Sequence, residues 1–210
     1  MIRIFPTLID SYHYYLQSEM PLQDMIDRIN RVPQPKTEAA ARGSALNDTV
    51  DALILGHDVY TQNGSYLAES DGMQFEFDRQ LVDHLAEHFT GALTQVYTEG
   101  EISTNYGIVM LYGYVDYIVR NVAFDLKSTG RYTWPKYKDS VQWKSYLYTL
   151  KAQGAQVDTF EYVVTDFNGI YRESYPLNER TTDLLRADVN GFLQFAYNHR
   201  HLITNPKIQL

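Results

Sequence analysis

The sequence predicts a layered α/β (α+β) domain with a central mixed sheet flanked by helices. The main observation is the order of elements between residues 38 and 165: a helical pattern, three consecutive strand-like segments, a second helical pattern and a fourth strand. Runs of strands bracketed by helices fit a layered architecture better than a bundle or a sandwich. Hydrophobic residues make up 44% and charged residues 21% of the 210, ordinary proportions for a globular chain able to bury its own core. No apolar run approaches the roughly 18 residues of a membrane span, so no membrane partner is expected.

The elements follow in order. Short helices are expected near Leu8–Gln17 and Leu22–Ile29, ending in a Pro-punctuated loop over residues 30–36. A stronger helix is expected from Glu38 to Leu55, because Leu46, Val50, Leu53 and Ile54 recur at three- and four-residue spacing, with Gly56 as its stop. Residues 62–65 read as a turn. Phe77–Phe89 reads as a helix opened by Asp78 as N-cap. Leu93–Ser103 and Ile108–Val119 alternate and are rich in β-branched residues and tyrosine, which marks strands. Val109, Leu111, Val115, Tyr117 and Val119 are expected on one face. Asn121 marks a tight turn into a third strand, Val122–Ser128. Lys136–Gln153 reads as a helix closed by Gly154. A strand at Val157–Asp166 turns through Phe167-Asn168-Gly169 into Ile170–Tyr175, and a last helix spans Thr182 to Asn198. The expectation is one domain over 1–210: a helical region 1–37 packed on a core 38–165, then a hairpin strand and helix over 166–210.

Composition narrows the chemistry. The chain has no cysteine, which excludes a disulfide scaffold, a cysteine zinc site and a thiol nucleophile. The first residues lack an apolar leader, so a cytoplasmic location is expected. The net charge is −8, which argues against coating a polyanion by bulk charge. The charge is uneven. Residues 126–151 hold Lys127, Arg131, Lys136, Lys138, Lys144 and Lys151 against Asp139 alone, a local +5 in a remainder of −13. Such a segment hints at an anionic partner, but on charge alone a solvated lysine-rich helix face is the favoured account.

The informative residues lie on the second and third strands. Asp125 and Lys127 are two apart and point the same way, while Val122, Phe124 and Leu126 face apolar packing. Asp116 lies about as far before the turn at Asn121 as Asp125 lies after it, which sets the two acids opposite or diagonal. Two carboxylates 4 Å apart repel by roughly 4 kcal/mol at an effective dielectric near 20, so the pair requires a counter-charge. Lys127 and a divalent metal supply one, and hard oxygen ligands without cysteine favour Mg²⁺ or Mn²⁺. A surface ion pair between Asp125 and Lys127 is the simpler alternative. Gln142 and Tyr146, four apart, share a face of the following helix.

The series Gly113-x-x-Asp116, Asp125-x-Lys127, Gln142-x-x-x-Tyr146 resembles the PD-(D/E)XK nuclease superfamily and, within it, the RecB-like and phage-type exonuclease branch. The segment Gly43–Asn47 resembles that branch's upstream G-x-x-x-H element, with Asn47 at the histidine position, and Val115 stands where proline precedes the acid. The resemblance covers about residues 38–165. It implies a restriction-endonuclease-like core and a metal-dependent deoxyribonuclease, an exonuclease rather than an endonuclease, acting in recombination or repair or of phage origin. It implies Asp116 and Asp125 as metal ligands, with the Leu126 carbonyl and Asn47 as further ones, Lys127 as the catalytic lysine, and Gln142 and Tyr146 as the helix pair that shapes the site. Glu38, Asp48 and Glu101 are substitutes for Asn47. Arg131, Lys136, Lys138 and Lys144 are the expected nucleic-acid contacts, and Trp134 and Trp143 are candidates for base stacking. DNA is the implied partner; a recombination or helicase protein and a homo-oligomer are compatible with it. The alternative is a catalytically weak nuclease-fold module that binds nucleic-acid ends or a protein.

Overall fold

The computed structural model describes residues 1–208. Strand β1 (Ile2–Ile4) leads into helix α1 (Pro6–Gln17), which Pro6 opens at the first helical position, where a missing N–H costs nothing. Helix α2 (Leu22–Asn30) closes on Arg31 in the left-handed region. Helix α3 (Glu38–Ile54) is capped by the Thr37 hydroxyl, which accepts the Ala40 N–H at 3.2 Å. Strands β2 (Thr61–Gln62), β3 (Ser65–Ser70) and β4 (Met73–Asp78) form a small antiparallel sheet. Its two turns carry Asn63-Gly64 and Asp71-Gly72, all four at positive φ, as two-residue hairpins demand. Helix α4 (Arg79–His88) begins where the Asp78 carboxylate accepts the Leu81 N–H at 2.9 Å. Then come β5 (Leu93–Thr104), β6 (Gly107–Val119), β7 (Val122–Ser128), α5 (Val141–Ala152), β8 (Thr159–Thr165), β9 (Ile170–Pro176) and α6 (Glu179–Asn198), followed by 3₁₀ turns at Arg200–Leu202 and Pro206–Ile208.

The main sheet runs β1-β6-β7-β8-β9, with β5 also paired to β6. It is mixed, because β1–β6 and β7–β8 are parallel and the other pairs antiparallel. Strand β5 occupies one edge of β6 almost throughout. On the other edge β1 pairs only with residues 109–111 and β7 only with residues 117–119. Residues 112–116 of that edge therefore have no strand partner, and the sheet forks there.

Three apolar clusters hold the layers. Ile4, Leu8, Ile9, Met25, Leu185 and Phe192 pack β1, α1, α2 and α6 together. Leu46, Phe77, Leu85, Phe89, Tyr117 and Phe124 fill the space beneath α3, α4 and the small sheet. Val115, Leu147, Phe160 and Tyr162 pack α5 on the opposite face. Each such side chain contributes roughly 1.5–3 kcal/mol by its burial.

Several expectations are corrected. The region 1–37 also supplies β1 to the main sheet, and residues 61–78 form the small sheet. Phe77 lies in β4, which runs to Asp78, and the helix starts only at Arg79. Residues 136–140 are not helical: α5 starts at Val141, where the Asp10 carboxylate accepts its N–H at 2.6 Å and the Ser140 hydroxyl accepts the Gln142 N–H at 3.2 Å. Val109, Leu111 and Val115 pack on the α1, α5 and α6 side, but Tyr117 lies under α3 and α4, stacked on Phe89 at 4.0 Å. Alternation along β6 thus changes phase between Val115 and Tyr117.

Candidate active site

The fork in the sheet is the floor of a cleft of about 1090 Å³. Asp116, Asp125, Lys127, Gln142, Tyr146 and Asn47 all line it. Asp116 projects from the unpaired edge of β6, and its Oδ2 accepts the Leu126 N–H at 3.3 Å. That bond continues the ladder across the fork through a side chain. Asp125, one position before Leu126 on β7, is buried. The Gln142 amide donates to its Oδ1 at 2.8 Å, and the Lys127 ammonium lies 2.6 Å from its Oδ2. That contact places the positive charge of Lys127 directly on the buried Oδ2 of Asp125.

Two glycines let helices approach the fork. A methyl group on Gly113 would lie 2.7 Å from Tyr146 Cε1, so the Tyr146 ring rests directly on the β6 backbone. A methyl group on Gly43 would lie 3.0 Å from the Ser128 hydroxyl, which fixes how closely α3 meets β7. Close seating of α3 brings Asn47 to the site, where its amide donates to the Leu126 carbonyl at 3.4 Å.

The electrostatics follow from two acids and one base in a half-dry pocket. Burial and the Asp125 carboxylate push Asp116 well above the usual carboxylate range, with Lys127 opposing. Burial would lower Lys127, but Asp125 and Asp116 outweigh it and hold the ammonium charged above its ordinary value. Burial, then Asp125, raises Tyr146. A divalent cation fits this donor set. Two neighbouring carboxylates, Asp116 and the buried Asp125, and a backbone carbonyl are the hard oxygens that Mg²⁺ and Mn²⁺ take. Among the described residues no group of three or more His, Cys, Asp or Glu converges, so the remaining ligands must be neutral.

The other expected residues fall elsewhere. Glu38, Asp48 and Glu101 are exposed and do not line the cleft. Arg131, Lys136 and Lys138 are exposed on the loop between β7 and α5, outside the cleft; the Lys136 ammonium bonds the Thr129 hydroxyl and the Arg131 carbonyl. Lys144 is not a surface cation at all. It is 6% exposed and paired with Asp188, whose other oxygen lies 3.4 Å from His13. Its helix position gave it a charge but not the tertiary acid that buries it. Trp143 is core, stacked on Tyr175 at 4.9 Å, while Trp134 is 72% exposed.

Besides Lys127, the cations that line the cleft are Arg28, Arg31, Lys36 and Lys207, which were not among the expected contacts. Three of them fall within nine residues around the Pro-punctuated loop, a local basic run that a finer charge window detects. Lys207 had no such signal. Arg31 donates to the Tyr112 hydroxyl, and Arg3 and Lys207 lie over the Tyr112 ring at 5.1 and 5.5 Å. Asn30 fastens this wall: its side chain donates to the Leu202 carbonyl and accepts the Thr204 N–H, at 2.9 and 2.7 Å.

No family model and no curated protein matches the chain. Among solved structures it is similar to SSO0001, with a TM-score of 0.52 and 18% identity over 92% of this chain and 77% of that one. It also aligns with Rai1 of Scheffersomyces stipitis at 14% identity, over 94% of this chain and 50% of that one, but the TM-score of 0.27 carries no argument. The first likeness shows the fold: an α/β protein with a central mixed sheet flanked by helices. Among the described residues no helix is long and apolar enough to cross a membrane.

Proposed function

We propose that this chain is a Mg²⁺- or Mn²⁺-dependent nuclease that hydrolyses DNA phosphodiester bonds, an exonuclease of recombination, repair or phage origin. The observation that carries the reading is the convergence of Asp116, Asp125, Lys127 and Gln142 at the fork of the sheet, inside a cleft with a cationic wall. When bound, the metal supplies positive charge at the phosphoryl oxygen and acidifies a water. Asp116 and Asp125 would hold it, together with the Leu126 carbonyl. Gln142 fixes the rotamer of Asp125 through Oδ1, and Lys127 holds Oδ2, which a bound metal would have to share with it. With no metal bound, Asp125 and Asp116 hold Lys127 charged, and as a cation it would orient the attacking water and stabilise charge on the phosphate. Arg28, Arg31 and Lys207 are placed to meet phosphates of the strand, and Tyr112 and Tyr114 its bases.

Asn47 favours a second reading. It stands at the position of the family's histidine and already bonds the Leu126 carbonyl, an arrangement suited to a module that binds DNA ends with feeble catalysis. One experiment decides between them. Purified protein should degrade linear but not closed circular DNA in Mn²⁺, and fall silent in chelator. Asp125→Ala and Lys127→Ala should each abolish cleavage with an unchanged circular dichroism spectrum. Binding of DNA ends without cleavage would establish the second reading, and cleavage surviving either substitution would place the chemistry elsewhere.

A further inference from the structure

Among the described residues Gln95 is the one non-glycine residue at positive φ within a strand of the main sheet. It has φ 50° at the third position of β5, where a side chain strains the backbone. The register of β5 on β6 is constant on both sides, yet the ladder skips one pair, Gln95 with Asp116. At this point the alternation of β6 changes phase. The irregularity therefore spans both strands and is centred on a site carboxylate. The Gln95 side chain lines the same cleft as Asp116 and Asn47.

The amide has a second neighbour. The Gln95 side chain meets the Asp51 carboxylate, which also accepts the Tyr117 hydroxyl at 2.6 Å. An ionised carboxylate only accepts, so the Gln95 amide must meet it through its NH₂ group. Its carbonyl oxygen is then free of that contact and available to the cleft. The site needs such an oxygen. Only two carboxylates converge there, and Mg²⁺ or Mn²⁺ takes about six oxygens.

Building on the metal-dependent reading above, we propose that Gln95 supplies a neutral oxygen to the divalent-cation site of Asp116 and Asp125, directly or through a bound water, and that β5 is held in its left-handed conformation to deliver it. The same phase change turns Asp116 to the face of Asp125, so one irregularity places both groups.

The test is a Mn²⁺ titration by calorimetry, paired with thermal midpoints in chelator. Gln95→Gly removes the amide and also the backbone strain, so its midpoint in chelator should be unchanged or higher. Its Mn²⁺ dissociation constant should weaken by about 10–100-fold, the scale of losing a group that supports a metal site. Gln95→Asn tolerates the left-handed backbone but is too short to reach, and should weaken binding similarly. Binding within about two-fold of the wild type in both variants would overturn the assignment while leaving the nuclease reading intact. A midpoint lowered by Gln95→Gly would refute the claim of strain. Wild-type protein that binds no Mn²⁺ would overturn the metal-dependent reading and this inference together.

Discussion

Gly113→Ala is the sharpest test of how the site is built. A methyl group there lies 2.7 Å from Tyr146 Cε1, 2.9 Å from the hydroxyl oxygen and 3.2 Å from Cζ, all inside the 3.4 Å at which ordinary contact begins. Tyr146 cannot swing away freely, because it is buried against Phe160, with ring centroids 6.0 Å apart. The ring and the β6 backbone must separate by several tenths of an ångström. Overpacking of this kind costs about 1–3 kcal/mol. For a chain of this size that lowers the thermal midpoint by about 2–12 °C. The strain falls one turn of α5 from Gln142, so cleavage should slow by about ten-fold, below the roughly hundred-fold that a full ångström of misplacement costs. The assay pairs thermal denaturation with the rate of DNA cleavage in Mn²⁺. Gly130→Ala is the control, since nothing lies within 4 Å of its added methyl group. A Gly113→Ala protein with wild-type midpoint and rate would show that the ring does not rest on the strand, and the account of G-x-x-D given above would fail.

Three further outcomes are expected. Lys144→Met should destabilise the fold by about 3 kcal/mol, as removal of one partner from a buried ion pair does, and leave DNA affinity unchanged at temperatures where the variant is folded; weakened binding there would return Lys144 to the interface. Arg31→Ala with Lys207→Ala should flatten the slope of log affinity against log salt, measured in Ca²⁺, by about 0.7–0.9 per cation, whereas Lys136→Ala with Lys138→Ala should not change it. Glu173 reports on pH: burial raises it, but the Tyr175 hydroxyl, the Lys136 and Tyr137 N–H groups and the Tyr132 hydroxyl outweigh burial and hold it below the usual range. A depressed carboxylate stabilises the fold above its unfolded pKa, and that contribution is lost as pH falls through the folded value. Glu173→Gln should therefore melt lower than wild type near neutrality, and the gap should close below about pH 4; a gap independent of pH would contradict the sign.

The sequence made some elements legible because local chemistry dictates them. Strand β7 runs from Val122 to Ser128 as its alternation predicts, and Asp78 caps α4 as its side chain predicts. Asp125 and Lys127 share a face because a strand has period two, and that alone brings them to 2.6 Å. What stayed hidden depends on distant partners. Strand β1 is three residues long, too short for any periodicity, and exists because Ile2–Ile4 finds Val109–Leu111. Lys144 looked like a surface cation because its acid, Asp188, arrives with α6. The expected common face of β6 broke at Tyr117, because a phase change leaves no mark in the pattern of apolar residues. Of the basic segment only Lys127 lines the cleft; Arg131, Lys136 and Lys138 stay exposed outside it, while Arg28, Arg31, Lys36 and Lys207 come to it from α2, the Pro-punctuated loop and the far end of the described residues.

The stitching of that wall has a consequence for the order of assembly. Tyr112 lies in the middle of the chain, Arg3 and Arg31 reach it from the beginning, and Lys207 reaches it from near the last described residues. Contacts that join such distant segments carry the largest loop-closure cost and form late. An intermediate with β5, β6 and β7 already paired would hold its acids together but lack the cationic rim. The carboxylate pair would therefore form before the cationic rim, and Tyr112 would wait for Arg3, Arg31 and Lys207 to arrive from segments far from it in the chain.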